Sequence, residues 1–279
     1  MDNRRPTWAE IDLGVIRHNI CSVREAAAGA KVMAVVKANG YGHGMLEVSR
    51  ICLEEGIGYL AVASLDEAMI LREAGINLPV LVLGYIPEEY ADTVVENNIR
   101  TTIFNSHLAK ALSRAAVKLS KEAYLHIKID TGMGRLGFLP DEKALNMIGA
   151  IASLPGVKLE GIFTHFAVAD IQDRSFTLEQ FRIFKQFISR LEQRNLYIPI
   201  KHCSNSAAFI EYPEMHLNMV RAGIILYGLY PSSEIDRNKL DIIPAMTFKS
   251  RISFIKNLPA GYTISYGRTY CCADQTKVA

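Results

Sequence analysis

A (β/α)8 barrel is the fold this sequence predicts, and three observations predict it. Short β-rich runs recur about eight times, at residues 31–36, 59–63, 80–84, 100–104, 124–129, 158–163, 198–202 and 219–227. Segments of helical period lie between them, as at 66–73, 106–119, 141–151 and 178–194, and such βαβα alternation selects a parallel sheet. Polar motifs follow many of the strands, as in a barrel; the alternative, a doubly wound open sheet, gathers them at one crevice. The expected boundary assigns residues 1–240 to the barrel and leaves 241–279 as a second segment. That second segment is near the ~40-residue limit for holding a core unaided.

Taken in order, the first run is Val32-Met33-Ala34-Val35-Val36, β-branched, short and closed by the glycine-rich Ala38-Asn39-Gly40-Tyr41-Gly42-His43-Gly44. It reads as a strand covered on both faces, with Lys37 at its mouth. Desolvation there disfavours the ammonium, the condition for an amine that condenses with a carbonyl. Lys128-Ile129-Asp130-Thr131-Gly132-Met133-Gly134-Arg135 follows the fifth strand, Thr164-His165 the sixth and Ser204-Asn205-Ser206 the seventh, while Arg221-Ala222-Gly223 lies at the eighth. Barrel strand ends converge on one face, so these motifs are expected to form one site. Gly223 permits close backbone approach, Ile224 adds an N–H, and Ser206 opens a short helix, together a cradle for an oxyanion after the last two strands. Each residue alone also has an ordinary reading: a solubilising lysine, a satisfied core histidine, a Ser-Asn-Ser turn.

Composition narrows the function. The chain has 279 residues, 49% hydrophobic and 22% charged, enough to bury a large core. Its net charge of +2, from 31 basic and 29 acidic residues, excludes a broad nucleic-acid-binding surface. Five cysteines, odd in number and without CxxC spacing, suggest reduced thiols in a cytoplasmic protein and no metal site. The segment Met1-Asp2-Asn3-Arg4-Arg5-Pro6 has no apolar core of a signal peptide, and no apolar stretch reaches membrane-spanning length.

The segments AVVKANGYGHG, KIDTGMGRLG, THFA, SNSAA, VRAGIILYG and SYGRTY together resemble the alanine racemases that depend on pyridoxal 5'-phosphate, and the likeness runs from Pro6 to the end of the chain. The resemblance implies that Lys37 holds the cofactor and acts as base on one face of the substrate carbon. It implies that Tyr266 is the second acid/base on the opposite face, delivered from the other subunit of a homodimer. A phenol has a pKa near ~10, so positive neighbours are needed to tune it, and His165 and Arg221 are the implied ones. Arg221 is implied to face the pyridine nitrogen; always protonated, it leaves that nitrogen without a proton and disfavours transamination. Tyr41, Asn205, Ser206, Gly223 and Ile224 complete the implied cofactor site, and Arg135 the substrate site. Lys128 matches a lysine that many relatives carbamylate; an unmodified lysine paired with Asp130 is the alternative.

The resemblance implies a barrel followed by a smaller C-terminal β domain, of which residues 241–279 are the start; members of the family continue past the position of Ala279, so this domain is expected to be incomplete here, without a downstream substrate-carboxylate contact and a further phosphate-binding tyrosine. The implied reaction interconverts L-alanine and D-alanine, supplying D-alanine for cell-wall peptidoglycan. A serine or broad-spectrum racemase, a decarboxylase with the same cofactor and a non-catalytic barrel carrying it stay open. Arg221 and Tyr266 count against the decarboxylase, and a non-catalytic carrier has no use for Tyr266.

Overall fold

The structure, a computed structural model, describes residues 5–279. The chain divides into two units, one of Asp12–Ala245 and one of Met246–Ala279 with the segment up to Ile11.

In the second of these, β1 (Thr7–Ile11) pairs antiparallel with β10 (Met246–Ser250), in a register running from Thr7 opposite Ser250 to Ile11 opposite Met246. The hairpin-like pairs β11 (Lys256–Leu258) with β14 (Thr276–Val278) and β12 (Thr263–Ile264) with β13 (Tyr270–Cys271) complete it. Thus the first strand of the chain belongs to the smaller unit, and the larger unit runs from Asp12 to Ala245. The interior of this unit is small, Leu258 and Cys272 being its buried side chains among the described residues. That agrees with a segment too short to enclose a core.

Asp12–Ala245 forms the barrel. Its strands are β2 (Lys31–Val35), β3 (Tyr59–Val62), β4 (Val80–Val82), β5 (Ile99–Ile103), β6 (Ala123–Lys128), β7 (Val157–Phe163), β8 (Ile200–His202) and β9 (Met219–Ala222). All eight expected runs are strands, paired parallel in the order β8-β7-β6-β5-β4-β3-β2-β9. At the seam between β8 and β9 the Asn218 N–H donates to the Lys201 carbonyl (3.1 Å) and the Arg221 N–H to the Ser204 carbonyl (3.0 Å), nearly closing the ring. The last run is shorter than expected. Gly223, at φ −113° and ψ −107°, leaves the strand, and Ile224–Tyr227 continues as a 3-10 helix.

The helices are α1 (Leu13–Ala26), α2 (Lys37–Tyr41), α3 (Met45–Glu54), α4 (Leu65–Glu73), α5 (Ala91–Glu96), α6 (Ser106–Leu119), α7 (Glu142–Ala152), α8 (Ser175–Glu192) and α9 (Ser206–Glu211). Side-chain caps set several starts: Asp12, Ser64, Asn105, Asp141 and Asn205 each accept a first-turn N–H. The expected 178–194 helix runs from Ser175 to Glu192, and at its start the Asp173 carboxylate takes the Ser175 N–H (2.9 Å). Buried Asn19 ties α1 to the end of the barrel: its Nδ2 donates to the Leu226 and Ile243 carbonyls (3.2 and 2.9 Å) and its Oδ1 accepts the Ile243 N–H (2.8 Å).

The barrel interior is divided. Met33, Val35, Tyr59, Ala61, Leu81, Ile200 and Met219 form an apolar cluster, the usual filling of such a barrel. Beside it, β5 to β9 contribute Arg100, His126, Glu160, His202 and Arg221, linked in a chain of hydrogen bonds.

Candidate active site

Lys37 closes β2, and the chain then makes a turn that the sequence marks only as glycine-rich. Ala38, Asn39, Gly40 and Tyr41 all have positive φ, from 52° to 61°, a left-handed helical turn. For residues with a side chain this costs roughly 1–2 kcal/mol each. Side chains hold it in place: Glu67 accepts the N–H groups of Ala38 (2.6 Å) and Ala63 (2.7 Å), and Asn39 Oδ1 accepts that of Met45 (2.9 Å). The turn carries Tyr41 back beside Lys37, whose Nζ sits 5.8 Å from the ring centroid. Lys37 is half-buried, less enclosed than a strand-end lysine covered on both faces would be.

Lys37, Tyr41, Lys128, Arg135, His165, Asn205, Ser206, Arg221, Gly223 and Ile224 all line one cavity of about 540 Å³ at the barrel mouth. They come from five strand ends, as the distribution of motifs predicts. Phe163, Phe166, Leu83 and Met133 supply apolar wall; Phe166 and Met133 lie within the THFA and KIDTGMGRLG segments, which are noted above for their polar residues. Their only signal in the sequence is their nearness to the strand ends. Tyr266 belongs to the other unit, in the 3-10 turn Tyr266–Arg268, and is 98% exposed.

Arg221 is the most connected side chain of the cavity. Its Nη1 donates to His202 Nδ1 (2.9 Å) and the His202 carbonyl (3.2 Å), and its Nη2 to the Thr164 and Cys203 carbonyls (2.8 and 3.0 Å) and His165 Nδ1 (3.3 Å). Burial pushes the guanidinium down to about 10, so it stays charged at neutral pH. Among the described residues its Nε–H has no partner, which leaves one donor free on a side chain that lines the cavity.

Burial, with Arg221, Lys128, Arg135 and Lys37 around it, pushes His165 down to about 2. This corrects the expectation of a positive His165: the imidazole is neutral, and it offers a hydrogen bond rather than a charge. Since Nδ1 accepts from Arg221, the proton of His165 sits on Nε2. Lys128 is buried over the Phe163 ring, 4.4 Å from its centroid, and desolvation, then Arg221 and Arg135, push its amine down to about 7. The expected alternative of a Lys128–Asp130 pair is not formed. Asp130 instead accepts the N–H groups of Gly132, Gly134 and Arg135 (3.0, 3.0 and 3.1 Å), shaping the loop that presents exposed Arg135.

The cradle is built around Gly223. Its N–H donates to Ser206 Oγ (3.0 Å), and a Cβ at Gly223 would stand 3.2 Å from the Tyr41 hydroxyl and 3.5 Å from Ser206 Oγ. With its oxygen accepting from Gly223, the Ser206 hydroxyl keeps its own proton to donate. Burial raises Tyr41, which remains a phenol and a donor. Asn205 spends its Oδ1 on the Ala208 N–H (3.0 Å) as the cap of α9. Among the described residues there is no cluster of three His, Cys, Asp or Glu side chains able to hold a metal, and no helix long and apolar enough to cross a membrane.

Comparison with known proteins accounts for this arrangement. Residues 11–231 match the family described as "Alanine racemase, N-terminal domain", and residues 245–279 match "Alanine racemase, C-terminal domain". An alanine racemase of Desulforamulus reducens is 49% identical over 277 residues, which are 99% of this chain and 75% of that protein. The solved alanine racemase of Clostridium difficile 630 superposes with a TM-score of 0.92 at 41% identity, covering 98% of this chain and 72% of that one. A histidine racemase from Leuconostoc mesenteroides is also similar, with a TM-score of 0.84 at 27% identity, covering 98% of this chain and 73% of the other. With both family domains matched in order and the barrel superposed, this chain belongs to the alanine racemase family.

Proposed function

We propose that the protein interconverts L-alanine and D-alanine using pyridoxal 5'-phosphate held at Lys37. The observation that carries this reading is the meeting, in one cavity, of a lysine, a cradle of hydrogen-bond donors and a buried arginine whose Nε–H has no partner among the described residues. The residues fit that cofactor. Ser206, Tyr41 and the backbone around Gly223 and Ile224 offer donors to a phosphate where a Cβ would intrude, and Arg221 offers one to a ring nitrogen. When bound, the cofactor supplies the electron sink that makes a Cα proton removable.

The chain's own groups do the rest. Lys37 would hold the cofactor through its amine, and as a free amine it would carry the proton on one face of the substrate carbon. Inversion needs a second group on the opposite face, and Tyr266, brought by a second copy of the chain in a homodimer, is that group. Neutral His165, with its proton on Nε2, stabilises the deprotonated tyrosine by donating to it, while Arg221 supplies the positive charge behind it. Arg221 keeps its proton and gives a ring nitrogen only a hydrogen bond, which restrains the sink and favours return of the proton to Cα. Arg135 orients the substrate carboxylate from the loop that Asp130 shapes. A neutral Lys128 amine reacts with carbon dioxide, forming an N–C bond and releasing a proton; the resulting carbamate is an anion to hold Arg135. The reaction belongs in the cytoplasm, supplying D-alanine to peptidoglycan synthesis.

The test is a racemisation assay with a panel of L-amino acids, alanine, serine and histidine among them, with and without added pyridoxal phosphate. D-Alanine is expected as the dominant product, dependent on cofactor. Preference for serine or histidine would replace alanine as the substrate, and no inversion of any amino acid would refute the reading.

A further inference from the structure

Barrel interiors are normally filled with branched aliphatic side chains, yet half of this one is a polar chain running from the cavity towards the opposite end. Arg221 Nη1 meets His202 Nδ1 at 2.9 Å, His202 Nε2 meets His126 Nδ1 at 3.0 Å, and His126 Nε2 meets Glu160 Oε2 at 3.0 Å. Arg100 then donates to both Glu160 oxygens, at 3.2 and 3.4 Å, and to Asn98.

The two ends of this chain fix its direction. A guanidinium only donates and a carboxylate only accepts. His126 therefore carries its proton on Nε2, for Glu160, and offers a lone pair at Nδ1. His202 must fill that lone pair from Nε2–H, which leaves its own Nδ1 as the acceptor Arg221 requires. Burial keeps both imidazoles neutral. Burial raises the Glu160 carboxyl, but His126 and Arg100 outweigh it and hold the group below its ordinary value, ionised.

Two features of the backbone serve this chain. The β6–β7 register shifts between Leu125 and His126, where Leu125 faces Leu159 and His126 faces Gly161, so that Glu160 is the extra residue. Such a bulge re-aims a side chain, here onto His126. Gly161 makes room for the ring, since a Cβ there would fall on the imidazole at Nδ1, Cε1 and Cγ.

We infer that Glu160 and His126 are positioning residues for Arg221: the carboxylate orders the tautomers of His126 and His202 so that a lone pair, never an N–H, faces the guanidinium. The consequence for catalysis rests on the role proposed above for Arg221. In Glu160→Gln the carboxamide can donate to His126 Nε2, which admits the reversed tautomers and sets His202 Nδ1–H against Arg221 Nη1–H.

Long-range 1H–15N spectra of histidine-labelled protein read the tautomers without bound cofactor. In the wild type, His126 and His202 are each expected as a single Nε2–H form, and in Glu160→Gln that purity is lost. With cofactor and alanine added, the variant is expected to lose kcat with KM unchanged and to release more transamination product. A wild-type His202 protonated on Nδ1 overturns the inference whether or not the variant folds, as do unchanged tautomers in a folded variant. Ordered tautomers in a protein that inverts no amino acid would uphold the relay and refute the racemase reading. Racemisation by a protein whose His202 carries Nδ1–H would overturn the relay alone.

Discussion

Replacing Lys128 by Met removes a buried amine while keeping a side chain of similar length against Phe163. Desolvation, with Arg221 and Arg135 beside it, pushes the amine from its ordinary 10.5 down to about 7. At pH 7 the unfolded chain carries the proton fully and the folded chain carries it in half of the molecules. This difference costs the wild type about 4 kcal/mol by linkage. Between pH 7 and 10.5 the unfolded state binds a proton the folded state lacks, so wild-type stability rises with pH across that window. Below pH 7 both states are protonated, and the penalty is constant and largest. Urea unfolding of both proteins in carbonate-free buffer is therefore expected to show Lys128→Met more stable by roughly 3–4 kcal/mol at pH 7, with the gap closing towards pH 10.5. In 13C-bicarbonate the wild type is expected to gain stability and a carbamate resonance that the variant lacks. Equal stability at pH 7, or a gap that does not narrow as pH rises, would refute the reasoning.

Further expectations concern the cavity and the frame around it. Lys37→Ala should abolish the visible absorbance of lysine-bound cofactor, and retention of that band would remove Lys37 from its role. Tyr266→Phe keeps the ring without the proton carrier and should slow racemisation by about 10²–10⁴-fold, as expected for loss of an acid/base group; wild-type rates in both directions would end the two-base scheme. Asn19→Ala removes three buried hydrogen bonds and leaves the Ile243 N–H and two carbonyls unpaired, a loss of about 3–5 kcal/mol. Denaturant unfolding that shows less than about 1 kcal/mol would mean water replaces the amide there.

Much of the barrel was legible because buried parallel strands are short, β-branched and bounded by turn residues, as at Val32 to Val36. The site was legible as strand-end motifs, because convergence of strand ends is a property of the fold. What stayed hidden were features without local cause. The left-handed turn at Ala38 to Tyr41 is held by Glu67 from α4 and by Asn39. The neutral state of His165 comes from burial and from Arg221, Lys128, Arg135 and Lys37, all of them distant in sequence. β1 went unread, since its partner β10 follows more than two hundred residues later.

By itself, then, the sequence determined the number of barrel strands, the placing of Lys37 and Arg221 at strand ends, and the small residue needed at Gly223. Alternation and turn chemistry act over a few residues, so they are written where they operate. Tertiary structure alone decided which donor meets which acceptor. Arg221, His202, His126 and Glu160 become a single directed chain only when four strands stand side by side, with one bulge turning the carboxylate inward. The protonation state of a buried group depends on its neighbours in space, and for Lys128, His165 and His202 those neighbours are assembled by the closing of the barrel.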